Sequence, residues 1–150
     1  MIMNSNSEKK VYSEQERKEY REKMRNIREQ CFAVFFEMAF SEDSYEDILD
    51  NAVESRMIEA DEYMIKILKY YSENKDSVDC AIKANLKGWT IERLSKTTLS
   101  ILRMAISEIN ATDTRRNIVI NEAIEITKIY STPKEASFVN GVLGAVVNNK

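Results

Sequence analysis

Apolar residues recur along most of this chain at intervals of three and four, the period of a helix that buries one face. Met24, Ile27, Cys31, Val34, Phe35 and Met38 set that rhythm in the first segment. They predict a helix from residue 13 to about residue 40, roughly 42 Å long at 1.5 Å per residue, opened by a capping box between Ser13 and Glu16. Its first half is mostly charged. In its second half Phe32, Phe36 and Phe40 follow one another at i, i+4 and i+8 on an adjoining face, giving an apolar arc too wide for one neighbouring helix.

The same reading continues downstream. Residues 44–55 predict a short acidic helix, and Ile58, Met64, Ile65, Leu68 and Tyr71 mark a third that ends near Asn74, Lys75 and Asp76. Val78, Ala81, Ile82 and Leu86 give a fourth its apolar face, with Gly88 where a left-handed C-terminal cap is expected. Trp89 opens the second half. Leu94, Thr98, Ile101, Leu102, Ala105 and Ile109 form the stripe of a fifth helix, closed by a turn over 110–114 in which Asp113 or Thr114 is expected to cap the sixth. The sixth carries Ile120, Ala123, Ile124 and Thr127. Pro133 suits the first turn of a seventh, which holds Phe138, Val139, Val142, Leu143 and Val146. No segment alternates like a strand. The expectation is an all-α fold of about seven helices in two small bundles sharing one core, about 13–88 and 89–150, preceded by a disordered extension over 1–12.

Composition agrees with that picture and narrows the chemistry. With 150 residues, 43% of them hydrophobic, the chain can bury one core, and three glycines and one proline leave few turns for a hairpin-rich sheet. No run is long and apolar enough for a membrane span, and the polar start lacks the apolar stretch of a secretory signal, so a cytoplasmic protein without a membrane partner is expected. There is no histidine, and the two cysteines, Cys31 and Cys80, have no metal-like spacing. Both are read as small buried hydrophobes kept reduced, and neither metal nor cofactor is expected.

Charge is distributed unevenly beneath a net value of −3. From Arg17 to Arg28 six basic residues (Arg17, Lys18, Arg21, Lys23, Arg25, Arg28) stand against two acidic ones (Glu19, Glu22). Over 41–62 nine carboxylates face Arg56 alone. Such a dipolar molecule can draw a polyanion to one end while the other repels it or meets a basic protein, although both runs also suit solvated helix faces. Arg21, Arg25 and Arg28 recur at four and three residues, so one helix face can direct three guanidinium groups, with Lys23 nearby, toward phosphates or unpaired bases. Lys128, Tyr130 and Lys134 surround the last interhelical turn, where Tyr130 can stack on a base between two cations or simply pack half-buried with a wet hydroxyl.

Two segments stand out: Ile120-Asn121-Glu122-Ala123 and Phe138-Val139-Asn140-Gly141-Val142-Leu143, each seating an asparagine in an apolar helical stripe. A buried amide locking two helices is one reading and base recognition another; Gly141 in a helix interior suggests close approach by a second backbone. Together with Trp89, Ile91-Glu92-Arg93-Leu94, Leu102-Arg103, Glu108 and Lys128, and with Arg28-Glu29 in the first half, this ordered series resembles the NusB family of bacterial transcription antitermination factors. The resemblance runs from about residue 21 to 147. It departs from the family's pattern in having arginines rather than a proline before Ile120, Ser137 in place of a lysine, Gly144 in place of an acidic residue, and no carboxylate near Thr98.

The resemblance implies a non-enzymatic RNA-binding protein that recognises boxA-like single-stranded RNA of ribosomal RNA transcripts together with NusE, a small-subunit ribosomal protein, within the antitermination complex of RNA polymerase. It implies RNA contacts at Arg21, Lys23, Arg25, Arg28, Lys128, Tyr130 and Lys134, and partner contacts at Phe36 and Glu92, with Phe36 equally suited to the core. Two other readings stay open. One is a helical homo-oligomeric interaction protein, in which the wide apolar face of the first helix meets its own copy. The other is the remnant of an RNA-binding domain from a ribosomal RNA methyltransferase, although no Gly-rich cofactor loop is present.

Overall fold

The computed structural model describes residues 11–148, so all but two residues of the expected N-terminal extension lie outside it. Among the described residues there are seven α-helices and no strand: α1 (Glu14–Met38), α2 (Tyr45–Glu54), α3 (Glu62–Glu73), α4 (Lys75–Lys83), α5 (Lys96–Ala111), α6 (Arg116–Tyr130) and α7 (Pro133–Asn148). A 3₁₀ turn, Ile91–Arg93, separates α4 from α5. None of the helices is long and apolar enough to cross a membrane.

Side-chain caps fix most of the helix starts, because the first amides of a helix have no partner within it. The Ser13 hydroxyl accepts from the Glu16 amide at 3.1 Å while the Glu16 carboxylate accepts from the Ser13 amide at 3.0 Å, completing the expected capping box. Ser44, Asp61, Ser95 and Thr132 likewise accept from the amides of Asp47, Tyr63, Thr98 and Glu135. The sixth helix differs from expectation. Neither Asp113 nor Thr114 caps it; its N-cap position is Arg115, without a side-chain bond, because Thr114 is turned toward Tyr63. The fourth helix is also shorter than expected: it ends at Lys83, and Gly88 takes its positive φ of 80° in the turn before Trp89 rather than at the helix end.

Helix α5 is the axis of the molecule. From Thr98 to Glu108 every residue but Arg103 is buried, which is how a helix enclosed on all sides differs from an amphipathic surface helix. It packs against α1, α3, α4, α6 and α7, so residues from both halves of the chain meet around Ile101, Leu102 and Ala105. Two of the hydroxyls within that core find partners: Ser100 donates to the Phe35 carbonyl and Ser107 to that of Arg103. Arg103 itself forms a bidentate pair with Asp79 of α4, both contacts 3.0 Å, and lies over the Tyr71 ring. Burial pushes the Tyr71 hydroxyl up to about 12.

Four local expectations are corrected. Ile65 is exposed, since it lies to one side of the stripe formed by Met64, Ile67 and Leu68. Cys80 is exposed and Cys31 buried, both as free thiols. Asn121 and Asn140 are exposed, not buried amides: the inner stripe of α6 is Val119, Ala123, Ile126 and Thr127, which turns Asn121 outward, and Asn140 sits just outside the stripe of Val139, Val142, Leu143 and Val146. A methyl group added at Gly141 would meet no atom within 4 Å, so no second backbone approaches there.

Candidate nucleic-acid interface

The inner part of α1 lies between α5 and α6, and its arginines are the first residues to show it. Arg28 is 4% exposed. Its guanidinium meets the Glu108 carboxylate of α5 through contacts of 3.1, 2.9 and 2.7 Å, and its other terminal nitrogen lies 3.9 Å from Glu122 of α6. Glu108 also accepts from the Tyr63 hydroxyl, which is 2.6 Å from the Thr114 hydroxyl, so one buried carboxylate ties α1, α3 and α5 to the turn before α6. Burial works against the charge on Arg28, but the bonds to Glu108 outweigh it and hold the guanidinium's pKa above its ordinary value. The expectation that Arg28 faces nucleic acid is therefore corrected: it is an internal ion pair, formed because a carboxylate buried in α5 needs a cation.

Arg25, one turn earlier, is paired but accessible. It forms a two-point contact with Glu122 at 3.1 and 2.9 Å, and its side chain retains 43% exposure. Arg21 and Lys23 are exposed. Lys23 lies two residues before Arg25 and thus on nearly the opposite side of the helix, so the four expected cations do not share one face. The face is Arg21 and Arg25, with Arg28 as its buried anchor.

The second expected cluster lies next to this one. The Tyr130 ring packs 5.1 Å from that of Phe32, and its hydroxyl donates to Glu29 of α1 at 2.9 Å, a bond that raises the phenol's pKa, with burial adding to it. Tyr130 is still half exposed, so it packs on one side and faces solvent on the other, with its hydroxyl bonded rather than left to water. Lys128 reaches Glu125 at 3.2 Å with both side chains largely in water, and Lys134 is exposed in the first turn of α7. Contacts to Glu122 and Glu29 thus bring Arg25 and Tyr130 to one edge of α1 and α6, whereas Lys128, two residues before Tyr130, turns to nearly the opposite side of α6 and Lys134 stands on α7. A groove of about 340 Å³ on the far side of Tyr130, toward α2, is lipped by Glu29 and Glu37, which makes it a poor seat for a polyanion.

Of the expected partner contacts, Phe36 is partly buried in a row of rings: it stands 5.9 Å from Phe32 and 5.0 Å from Phe40, and Phe40 is 64% exposed. Glu92 is exposed in the 3₁₀ turn, beside Trp89, whose half-exposed indole lies under the Arg93 guanidinium at 5.1 Å. Thr98 is fully buried with its hydroxyl unpartnered. Sequence reasoning missed Glu108 and Glu122 as partners of the arginines and Glu29 as the acceptor for the Tyr130 hydroxyl; the available signal was Glu108 and Glu122 standing within or beside otherwise apolar stripes.

No group of metal-ligating side chains occurs among the described residues, and the surface features are two basic clusters and an aromatic ridge. Fold and surface define a class of all-α proteins built around one enclosed helix, with a cationic edge. The NusB family model matches residues 25–148, and the chain belongs to the NusB family. It is 40% identical over 125 residues to the transcription antitermination protein NusB of Listeria welshimeri, an alignment covering 83% of this chain and 95% of that one. Among solved structures it resembles T. maritima NusB at 28% identity, with a TM-score of 0.72 and coverage of 83% and 89%. It shares the fold of a structure of the antitermination factors NusB and NusE in complex with double-stranded RNA, at 23% identity, a TM-score of 0.74 and coverage of 85% and 97%.

Proposed function

We propose that this protein is a cytoplasmic, non-enzymatic transcription antitermination factor that binds boxA-like single-stranded RNA of ribosomal RNA transcripts together with a NusE-type ribosomal protein. Membership of the NusB family supports the biological role. The observation that carries the RNA surface is the bond from Tyr130 to Glu29 beside the pair of Arg25 with Glu122, which sets the Tyr130 ring on the same edge as Arg21 and Arg25, with Lys128 and Lys134 exposed on the two helices that flank the following turn. That edge offers a half-exposed ring for base stacking and cations for the backbone, the combination used by single-strand binders. The exposed end of the aromatic ridge at Phe36 and Phe40, with Glu92, is the surface proposed for the protein partner and for RNA polymerase assembly.

The test is a gel-shift titration with boxA RNA, with and without NusE, across a range of salt. Binding is expected at low salt, tightened by NusE and weakened as salt rises, because each neutralised phosphate releases counterions. No shift at low salt with both proteins present would overturn the reading.

A further inference from the structure

The first helix begins well before the part of the chain that the family shares. The family match starts at Arg25, yet α1 is continuous from Glu14, and every residue over 14–23 is exposed. Burial begins with Met24 and Ile27. The first ten residues of α1 are therefore an overhang, about 15 Å long at 1.5 Å per residue, that packs on nothing among the described residues. It is nevertheless built to a definite end, since the two-way capping bond between Ser13 and Glu16 satisfies amides that fraying would otherwise expose.

Charge on this overhang is sorted by side. At about 100° per residue, Arg17, Lys18 and Arg21 fall within the same arc as Arg25 and Arg28, whereas Glu16 and Glu19 fall on the opposite side with Lys23 and Glu22 lies at the flank of the arc, next to Lys18. Glu14 is the acidic residue within the basic arc. At its inner end this arc points to the carboxylates of α5 and α6, where Arg28 and Arg25 find Glu108 and Glu122. Farther out no carboxylate from another helix reaches the arc, and Arg17, Lys18 and Arg21 form no ion pair among the described residues, Glu14 and Glu22 included. The neighbouring end of the bundle is also cationic. Thr114 is held in the same network as Arg28 through Tyr63, and exposed Arg115 and Arg116 follow it directly, with Asp113 as the nearby acid.

We propose that this overhang is an additional RNA-binding arm, in which Arg17 and Lys18 grip the phosphates of nucleotides flanking the element held at Arg21, Arg25 and Tyr130. The inference rests on the RNA-binding reading above and extends it along the strand. The contacts are to the backbone, so the arm adds affinity and salt dependence without sequence preference. A rigid helix suits this task, because its cations are already aligned and lose little freedom on binding.

The experiment measures binding of the full chain by fluorescence anisotropy to two RNAs: a minimal boxA RNA and the same RNA lengthened by unpaired flanking nucleotides. The variant Arg17→Gln/Lys18→Gln is compared with the unmodified chain and with Arg25→Gln, and circular dichroism reports helix content. For the lengthened RNA the double variant is expected to bind several-fold more weakly, with its salt slope reduced by about 1.4, the value for two lost single-strand phosphate contacts. For the minimal RNA it should match the unmodified chain, whereas Arg25→Gln should weaken both. If the double variant retains helix content, affinity and salt slope on the lengthened RNA while Arg25→Gln loses binding, the arm is overturned and the family-shared surface stands. If the unmodified chain binds neither RNA, with or without NusE, both readings fall.

Discussion

Arg25 and Arg28 lie one turn apart on the same helix, each bonded to a glutamate from the second half of the chain, and yet they belong to different parts of the protein's physics. Arg28 with Glu108 is sealed inside, side chains 5% and 1% exposed; Arg25 with Glu122 sits at the rim, 43% and 18% exposed. In the sealed pair each charge has given up its water and depends on the other. At the rim water shares the load, so the arginine can change partner at modest cost. Spacing along a helix places residues on a face, but where the neighbouring helix ends decides which of them remain available to a ligand.

The comparison breaks most visibly at its buried end. Arg28→Ala leaves the Glu108 charge without its cation, and the expected loss of stability is about 3–5 kcal/mol, measured by urea unfolding. A loss below about 1 kcal/mol, the range of an exposed pair, would show that Arg28 is held no more tightly than Arg25. At the rim Arg25→Gln should alter stability by less than about 1 kcal/mol. Its expected effect is on boxA RNA binding, which should weaken several-fold while thermal unfolding stays nearly fixed; unfolding of this variant would make Arg25 structural. The smallest effect sharpens what burial means for a polar group that has no partner. Thr98 is buried with its hydroxyl unsatisfied, so Thr98→Val should leave stability unchanged or raise it by up to about 1 kcal/mol in the same urea experiment. A clear loss would mean that this hydroxyl has a partner after all.

Helix number, order and most boundaries were legible because caps and stripes are local. Ser13 with Glu16, Ser44 and Pro133 each sit where the sequence reading puts them. The errors arise where the answer depends on a second helix. Asn121 looked buried beside Ile120 and Ile124, but these two are only partly covered and the true inner stripe lies a fraction of a turn away. Cys80 looked like core because α4 is helical, whereas only Val78 and Ile82 of that helix are fully covered. The cationic cluster was legible as charge but not as geometry: nothing in the spacing of Arg21, Arg25 and Arg28 tells that Glu108 and Glu122, 80 and 97 residues downstream of their partners, fold back to neutralise two of them. Tyr130 was legible as a candidate, and its tether to Glu29 was not, for the same reason.

The single tryptophan of the chain is half in water and roofed by Arg93, one residue from Glu92 and on a different element from the cationic edge. Its emission is therefore a built-in optical gauge for that corner of the molecule. Docking of a second protein over the 3₁₀ turn should shift the spectrum, whereas nucleotides settling along α1 and α6 should leave its colour alone, and the two kinds of ligand can be followed separately in one cuvette without attaching a dye.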